Sequence, residues 1–279
     1  MKKAFVGYQV YSAREDAAKD LLGVLKQLAA MGYDGVEFAG FYGHTAEEVK
    51  AMLDETGLVA ISGHQAIPAT VEEMFSTIAF YKTIGCKFLA VPYLEESKRP
   101  GADGFAKTLC QIYKFGKLCQ EAGIQLLYHN HDFEFVKLSG EYGFDFIYDA
   151  IPEDILKTEI DCCWVKYSGE DPAAYIRKYS GRAPIVHLKD FVGVKKGDKS
   201  PYALISADGS GKDDAKADKD VEFEFRPVGY GCQDVASLIN AGLEAGAGWF
   251  IIEQDQWYNR TALEAAKMSI DTIKKLNIL

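Results

Sequence analysis

The sequence predicts an α/β fold: a single (β/α)8 TIM barrel occupying residues 1–279, with an exposed insertion after its seventh strand. Three observations carry that prediction. Short apolar runs alternate with amphipathic stretches along the whole chain, and the links between them are short. That pattern calls for parallel strands joined by right-handed crossovers. With 279 residues and 48% hydrophobic content, the chain is long enough to bury a barrel core as one domain. No Gly-x-Gly-x-x-Gly follows the first apolar run, which removes the main support for a dinucleotide-binding arrangement.

Residues 4–9 read as the first strand, and 17–31 as a helix with Leu21, Leu22, Leu25 and Leu28 on its buried side. Gly32 and Gly35 punctuate the passage to a second strand at 36–38. Thr45, three residues before Glu48, is a capping box for a helix that Gly57 stops. The third strand, 58–62, ends at Gly63-His64, and a helix over 70–84 leads through Gly85 to a fourth strand at 88–91. A helix over 104–122 precedes the fifth strand, which breaks into His129-Asn130-His131-Asp132-Phe133-Glu134. A helix near 144–150, a sixth strand at 156–160 ending on Asp161, and a helix opened by Asp171-Pro172 follow. The seventh strand is 184–188, then come a helix at 234–245, the eighth strand at 249–252 and a last helix at 261–276. Residues 193–220 break the alternation. Their Lys-, Asp- and Gly-rich composition cannot bury a core, so they are expected to form an exposed loop, serving either as a lid over the site or as a solvated insertion.

Lys plus Arg total 31 against 41 Asp plus Glu, a net charge of −10. An acidic surface repels a phosphate backbone, so nucleic acid is disfavoured as a partner. No stretch reaches the roughly 18 apolar residues of a membrane span, and residues 1–8 run into a strand without a long apolar leader. The six cysteines include no Cys-x-x-Cys pair and sit in apolar surroundings, as buried thiols of a reducing compartment do. A cytoplasmic location is the expectation.

A parallel barrel keeps its chemistry at the C-terminal ends of its strands. Those ends carry Glu37, His64, the cluster from His129 through His131 to Glu134, Asp161, His187 with Lys189 and Asp190, and Glu253 with Asp255. Four of the five histidines fall there, His44 being the exception, so the concentration is not incidental. Glu134, Asp161, His187 and Glu253 would converge on one locus. Three carboxylates and one imidazole suit a divalent ion, with Mn2+ favoured over Mg2+, Co2+ or Zn2+. Glu37, His64, His129, Trp164 and Asp255 are expected to face a substrate.

The order His129-Asn130-His131-x-x-Glu134, Glu159-Ile160-Asp161, Val186-His187-Leu188-Lys189-Asp190 and Ile251-Ile252-Glu253-Gln254-Asp255 resembles the xylose isomerase-like TIM-barrel superfamily. Pro227-Val228-Gly229-Tyr230-Gly231 is similar to a turn that those proteins carry before the last helix-and-strand unit. The resemblance spans nearly the whole chain. It implies one divalent metal held by Asp161, His187 and Glu253, with Glu134 as the remaining ligand and His129 or His131 as its substitute. It also implies an isomerase or epimerase acting on an unphosphorylated sugar or keto-sugar by proton transfer through an enediolate. Glu134 and Glu253 would serve as base and acid, His131 as a proton shuttle, and Lys189 would hold a substrate oxygen. The alternatives are a lyase on the same scaffold, dehydrating a keto-inositol or cleaving or hydrating a 3-keto-glycoside, and a sugar-binding barrel without catalysis. A small sugar or polyol is the expected partner, with no membrane or nucleic acid, and homo-oligomers are possible. The DNA-repair endonucleases of the superfamily would need a basic face and more metal ligands than five histidines supply.

Overall fold

The computed structural model describes residues 4–194 and 223–278. Eight parallel strands form the barrel: β1 (Phe5–Gln9), β2 (Gly35–Phe38), β3 (Val59–Gly63), β4 (Phe88–Val91), β5 (Gln125–His129), β6 (Leu156–Asp161), β7 (Ile185–Leu188) and β8 (Trp249–Ile252). Hydrogen-bonded neighbours run β3-β2-β1-β8-β7-β6-β5-β4. A parallel bridge between His64 and Ala90 joins the two remaining edges, so the sheet closes on itself. The outer ring consists of α1 (Arg14–Met31), α2 (Ala46–Thr56), α3 (Val71–Thr83), α4 (Phe105–Ala122), α5 (Gly143–Ala150), α6 (Cys162–Tyr167), α7 (Pro172–Lys178), α8 (Val235–Ala245) and α9 (Ala262–Leu276). The expected single (β/α)8 barrel is therefore the observed one.

Local chemistry explains the boundaries. Thr45 caps α2, accepting from the Glu48 amide while the Glu48 carboxylate accepts from the Thr45 amide. Asp171 accepts from the Ala173 amide ahead of α7, whose first residue is proline. Inside the barrel, Ile61, Ala90, Leu127, Ile185 and Ile251 form a closed apolar layer. Gly7 is required beside it, because a Cβ there would lie 2.3 Å from Ile61 Cδ1. This layer is the floor of everything polar above it.

Three features depart from the expected alternation. Asp161 starts the short helix α6 directly at the end of β6. Lys137–Leu138 and Glu141–Tyr142 make a small antiparallel hairpin between β5 and α5. Asp190–Gly193 pairs antiparallel with Phe223–Arg226, so the insertion leaves and rejoins the barrel through one two-stranded ladder. Phe191, Phe223 and Phe225 of that ladder pack with Cys163, Trp164 and Tyr167 in an apolar cluster of their own. Apart from its first two residues, the loop expected over 193–220, with its lid role, lies outside the described residues. Among the described residues, no helix is long and apolar enough to cross a membrane.

Candidate metal centre

Side chains alternate across a strand, so β6 turns Glu159 and Asp161 to the same side. There they meet His129 at the end of β5, His187 on β7 and Glu253 just beyond β8, every one of them buried. Two polar tiers result. In the upper tier His129 Nε2 lies 3.6 Å from Asp161 Oδ2, and His187 Nδ1 is hydrogen-bonded to Glu253 Oε2 at 3.0 Å. One ligand atom from each of His129, Asp161, His187 and Glu253 can be chosen so that all lie within 4.8 Å of one another. Lys189 Nζ approaches from the side, 2.7 Å from Asp255, 3.3 Å from Glu253 and 3.7 Å from Asp161. In the lower tier Glu159 Oε1 meets His64 and His129, while Glu37 accepts from Gln9 Nε2 at 2.7 Å and from the Ser62 hydroxyl.

Asp161 divides its two oxygens between structure and site. Oδ1 accepts from the amides of Cys163 at 2.7 Å and Trp164 at 3.3 Å, capping α6. Oδ2 is buried and has no hydrogen-bond partner. Asn130 clasps the same backbone, accepting from the Asp161 amide and donating to the Asp161 carbonyl. A buried carboxylate oxygen without a partner is costly unless something cationic meets it.

The electrostatics follow from crowding. Burial pushes the Asp161 carboxyl up to about 7; Lys189 opposes the rise and Glu253 adds to it. Burial acts on Glu253 in the same sense, but Lys189 and His187 outweigh it and hold that carboxyl well below the usual range. Burial would lower the Lys189 ammonium, yet Asp255, Glu253 and Asp161 keep it above its ordinary value. Burial and the neighbouring cations lower His129 and His131, which keeps both imidazoles neutral. Burial also lowers His187, but Glu37 and Glu159 raise it beyond its ordinary value.

Neutral imidazole and carboxylate oxygen are donors for a divalent ion, and Asp161 Oδ2, without a hydrogen bond but 3.7 Å from the Lys189 ammonium and 3.6 Å from His129 Nε2, lies among them. The residues present fit such an ion.

The structure brings together Asp161, His187, Glu253 and Lys189 of the expected set, with Glu37, His64 and His129 beneath or beside them. It does not bring Glu134, which was expected as ligand and as base. The loop after β5 turns into a single helical turn, Phe133–Phe135, and Glu134 points to the outer side of the strand. There it accepts from the Tyr128 hydroxyl at 2.6 Å and the His131 amide at 2.8 Å. His129, named as its substitute, occupies the locus instead. Trp164 is fully buried, stacked on His131 at 5.4 Å and on Phe223 at 6.0 Å, so two ring systems cover it. Asp255 is held by Lys189. Asp190 pairs not with Lys189 but with the amides of Phe191, Gly229, Gly231 and Gln233, fixing the turn after the insertion. Glu159 was missed as a site residue, although it stands two residues before Asp161 on the same face of β6.

Comparisons with known proteins agree with the barrel fold. Residues 25–276 match the family described as xylose isomerase-like TIM barrel. An inosose dehydratase of Bacillus thuringiensis (strain Al Hakam) is 23% identical over 263 residues, covering 83% of this chain and 81% of the relative. A sugar phosphate isomerase/epimerase from Parabacteroides distasonis superposes with a TM-score of 0.74 at 20% identity, over 97% of each chain. The IOLI protein, solved with a bound zinc atom, gives a TM-score of 0.72 at 13% identity, over 98% of this chain and 97% of its own.

Proposed function

The chain belongs to the xylose isomerase-like TIM-barrel family and is an enzyme; on that premise we propose that it removes a proton from carbon beside the carbonyl of an unphosphorylated keto-sugar or keto-polyol, with the aid of a divalent metal. The upper tier is the observation that carries this reading. His129, Asp161, His187 and Glu253 would hold the ion, with Mn2+ favoured for the mixed nitrogen and oxygen set and Mg2+, Co2+ or Zn2+ as alternatives. Bound there, the ion supplies a Lewis acid for a carbonyl and its neighbouring hydroxyl. The zinc of the IOLI structure supports a divalent ion on such a barrel.

The side chains then divide the work. Glu253, 3.3 Å from Lys189 and hydrogen-bonded to His187, is the base that takes the proton from carbon. Lys189, clamped by Asp255, is the acid that protonates an oxygen leaving with the electron pair of its C–O bond. That pairing favours elimination, the lyase reading, and the inosose dehydratase relatives support it. Isomerisation or epimerisation is the second reading. Epimerisation needs a second acid–base group on the opposite face of the carbon, and Glu134, expected in that role, is turned away. His131, whose ring centroid lies 5.3 Å from that of His129 in an edge-on contact, is the group that would return the proton.

The test is hydrogen exchange. Metal-loaded protein is incubated in heavy water with keto-inositols, 3-keto-glycosides and keto-sugars. Chelator-sensitive exchange at the carbon beside the carbonyl is expected, accompanied by enone absorbance if elimination follows. An ion-saturated protein that exchanges no hydrogen in any of them refutes the proposal.

A further inference from the structure

Three imidazoles of the barrel interior converge on one carboxylate oxygen. Glu159 Oε1 lies 2.8 Å from His64 Nε2, 3.2 Å from His129 Nδ1 and 3.2 Å from His187 Nε2. These rings come from the ends of β3 and β5 and from β7, so a single side chain of β6 touches three other strands of the barrel. Glu159 is fully buried, and the apolar layer of Ile61, Ala90, Leu127, Ile185 and Ile251 is the barrel's other interior cluster.

An imidazole has two nitrogens, and the hydrogen bond made by one decides which keeps its lone pair. His129 turns Nδ1 to Glu159, so a proton held there leaves Nε2 bare, and Nε2 is the atom that faces Asp161 Oδ2. His187 is mounted the other way round. Its Nε2 lies 2.8 Å from Glu37 and 3.2 Å from Glu159, while Nδ1 faces Glu253. The two rings thus present opposite nitrogens upward, and the lower carboxylates face the opposite nitrogen of each.

We propose that Glu159 is the positioning residue of the metal centre: by accepting from His129 Nδ1 it fixes that tautomer, and together with Glu37 its charge holds His187 Nε2 downward without a hydrogen bond, so that an ion above meets His129 Nε2 and His187 Nδ1. Glu37, anchored by Gln9 and Ser62, backs His187 in the same sense. Ligand atoms of His64, His129, Glu159 and His187 also lie within 4.8 Å of one another; in the proposed arrangement that lower tier carries N–H protons rather than a second ion, and Glu159 is not a ligand. The inference rests on the metal reading given above.

The test titrates metal-free wild type, Glu159→Gln and Glu159→Met with Zn2+ and Mn2+ by calorimetry. Nitrogen NMR of the zinc-loaded, histidine-labelled proteins reads the tautomers, which a merely structural role would leave unchanged. Wild type is expected to bind one ion per chain, with His129 protonated at Nδ1 and His187 at Nε2. Glu159→Gln, which keeps one acceptor oxygen, weakens binding by about tenfold; Glu159→Met, with none, weakens it by about a hundredfold and mixes the tautomers. Unchanged affinity and tautomers in the Gln variant overturn the inference even if the Met variant does not fold. Two ions in wild type with one lost in Glu159→Gln would make Glu159 a ligand and also overturn it. A wild-type protein that binds no ion removes the metal reading, and this inference with it.

Discussion

Replacing Glu134 by Gln should change how stability depends on pH while leaving metal binding intact. Burial pushes the Glu134 carboxyl from an ordinary value of 4.5 up to about 8, against the opposing hydrogen bonds from Tyr128 and His131. Below 4.5 the group is protonated in both the folded and the unfolded chain. Between 4.5 and about 8 the folded chain keeps a proton that the unfolded chain has released, so each step up in pH favours unfolding. At about 1.4 kcal/mol per pH unit, that interval corresponds to roughly 4–5 kcal/mol as an upper bound, and relaxation around the ionised group brings the expectation to about 2–5 kcal/mol. Gln has no proton to lose and retains a carbonyl to accept from the His131 amide. Urea unfolding of metal-free protein at pH values on either side of this window reads the effect. Wild type should lose about 2–5 kcal/mol more than Glu134→Gln on going from the acid to the alkaline side. Parallel stability curves would refute the reasoning, and loss of metal binding in the variant would return Glu134 to the ligand set.

Two further substitutions probe the surroundings of the locus. Lys189→Met should lower turnover by about two to four orders of magnitude, the contribution of a positioned acid. It should also destabilise the metal-free protein by about 3–5 kcal/mol by leaving Asp255 and Glu253 buried without their ammonium, which steady-state kinetics and urea melts will show. Asp190→Ala strips the acceptor from the amides of Phe191, Gly229, Gly231 and Gln233, and should cost roughly 2–3 kcal/mol in a denaturant titration without changing ion stoichiometry.

The barrel was legible because each strand and helix carries its own period and its own stop, as in the Thr45–Glu48 capping box and Gly57. The locus was legible for a related reason. Strand ends of a parallel barrel converge, so Asp161, His187 and Glu253 could be placed together from their positions alone. Glu134 could not, since a helical turn at Phe133–Phe135 decides which side of β5 it faces, and no periodicity governs so short a turn. The signal for Glu159 was present in the two-residue spacing to Asp161, but a carboxylate one layer below a ligand looks in sequence like any strand residue. Tertiary contacts alone reveal it, through His64 and His129, which lie 95 and 30 residues away. The ladder flanking the insertion was likewise hidden, because Asp190–Gly193 and Phe223–Arg226 pair across a long stretch of polar sequence.

Metal content tests the central claim most directly. Wild type and Asp161→Asn are purified, stripped with chelator, reloaded with Mn2+, Co2+ or Zn2+ and assayed by elemental analysis alongside circular dichroism. A divalent ion at about one per wild-type chain, removed by chelator, restored on reloading and absent from a folded Asp161→Asn, is the predicted result. A folded wild-type protein that takes up none of these ions would contradict the account.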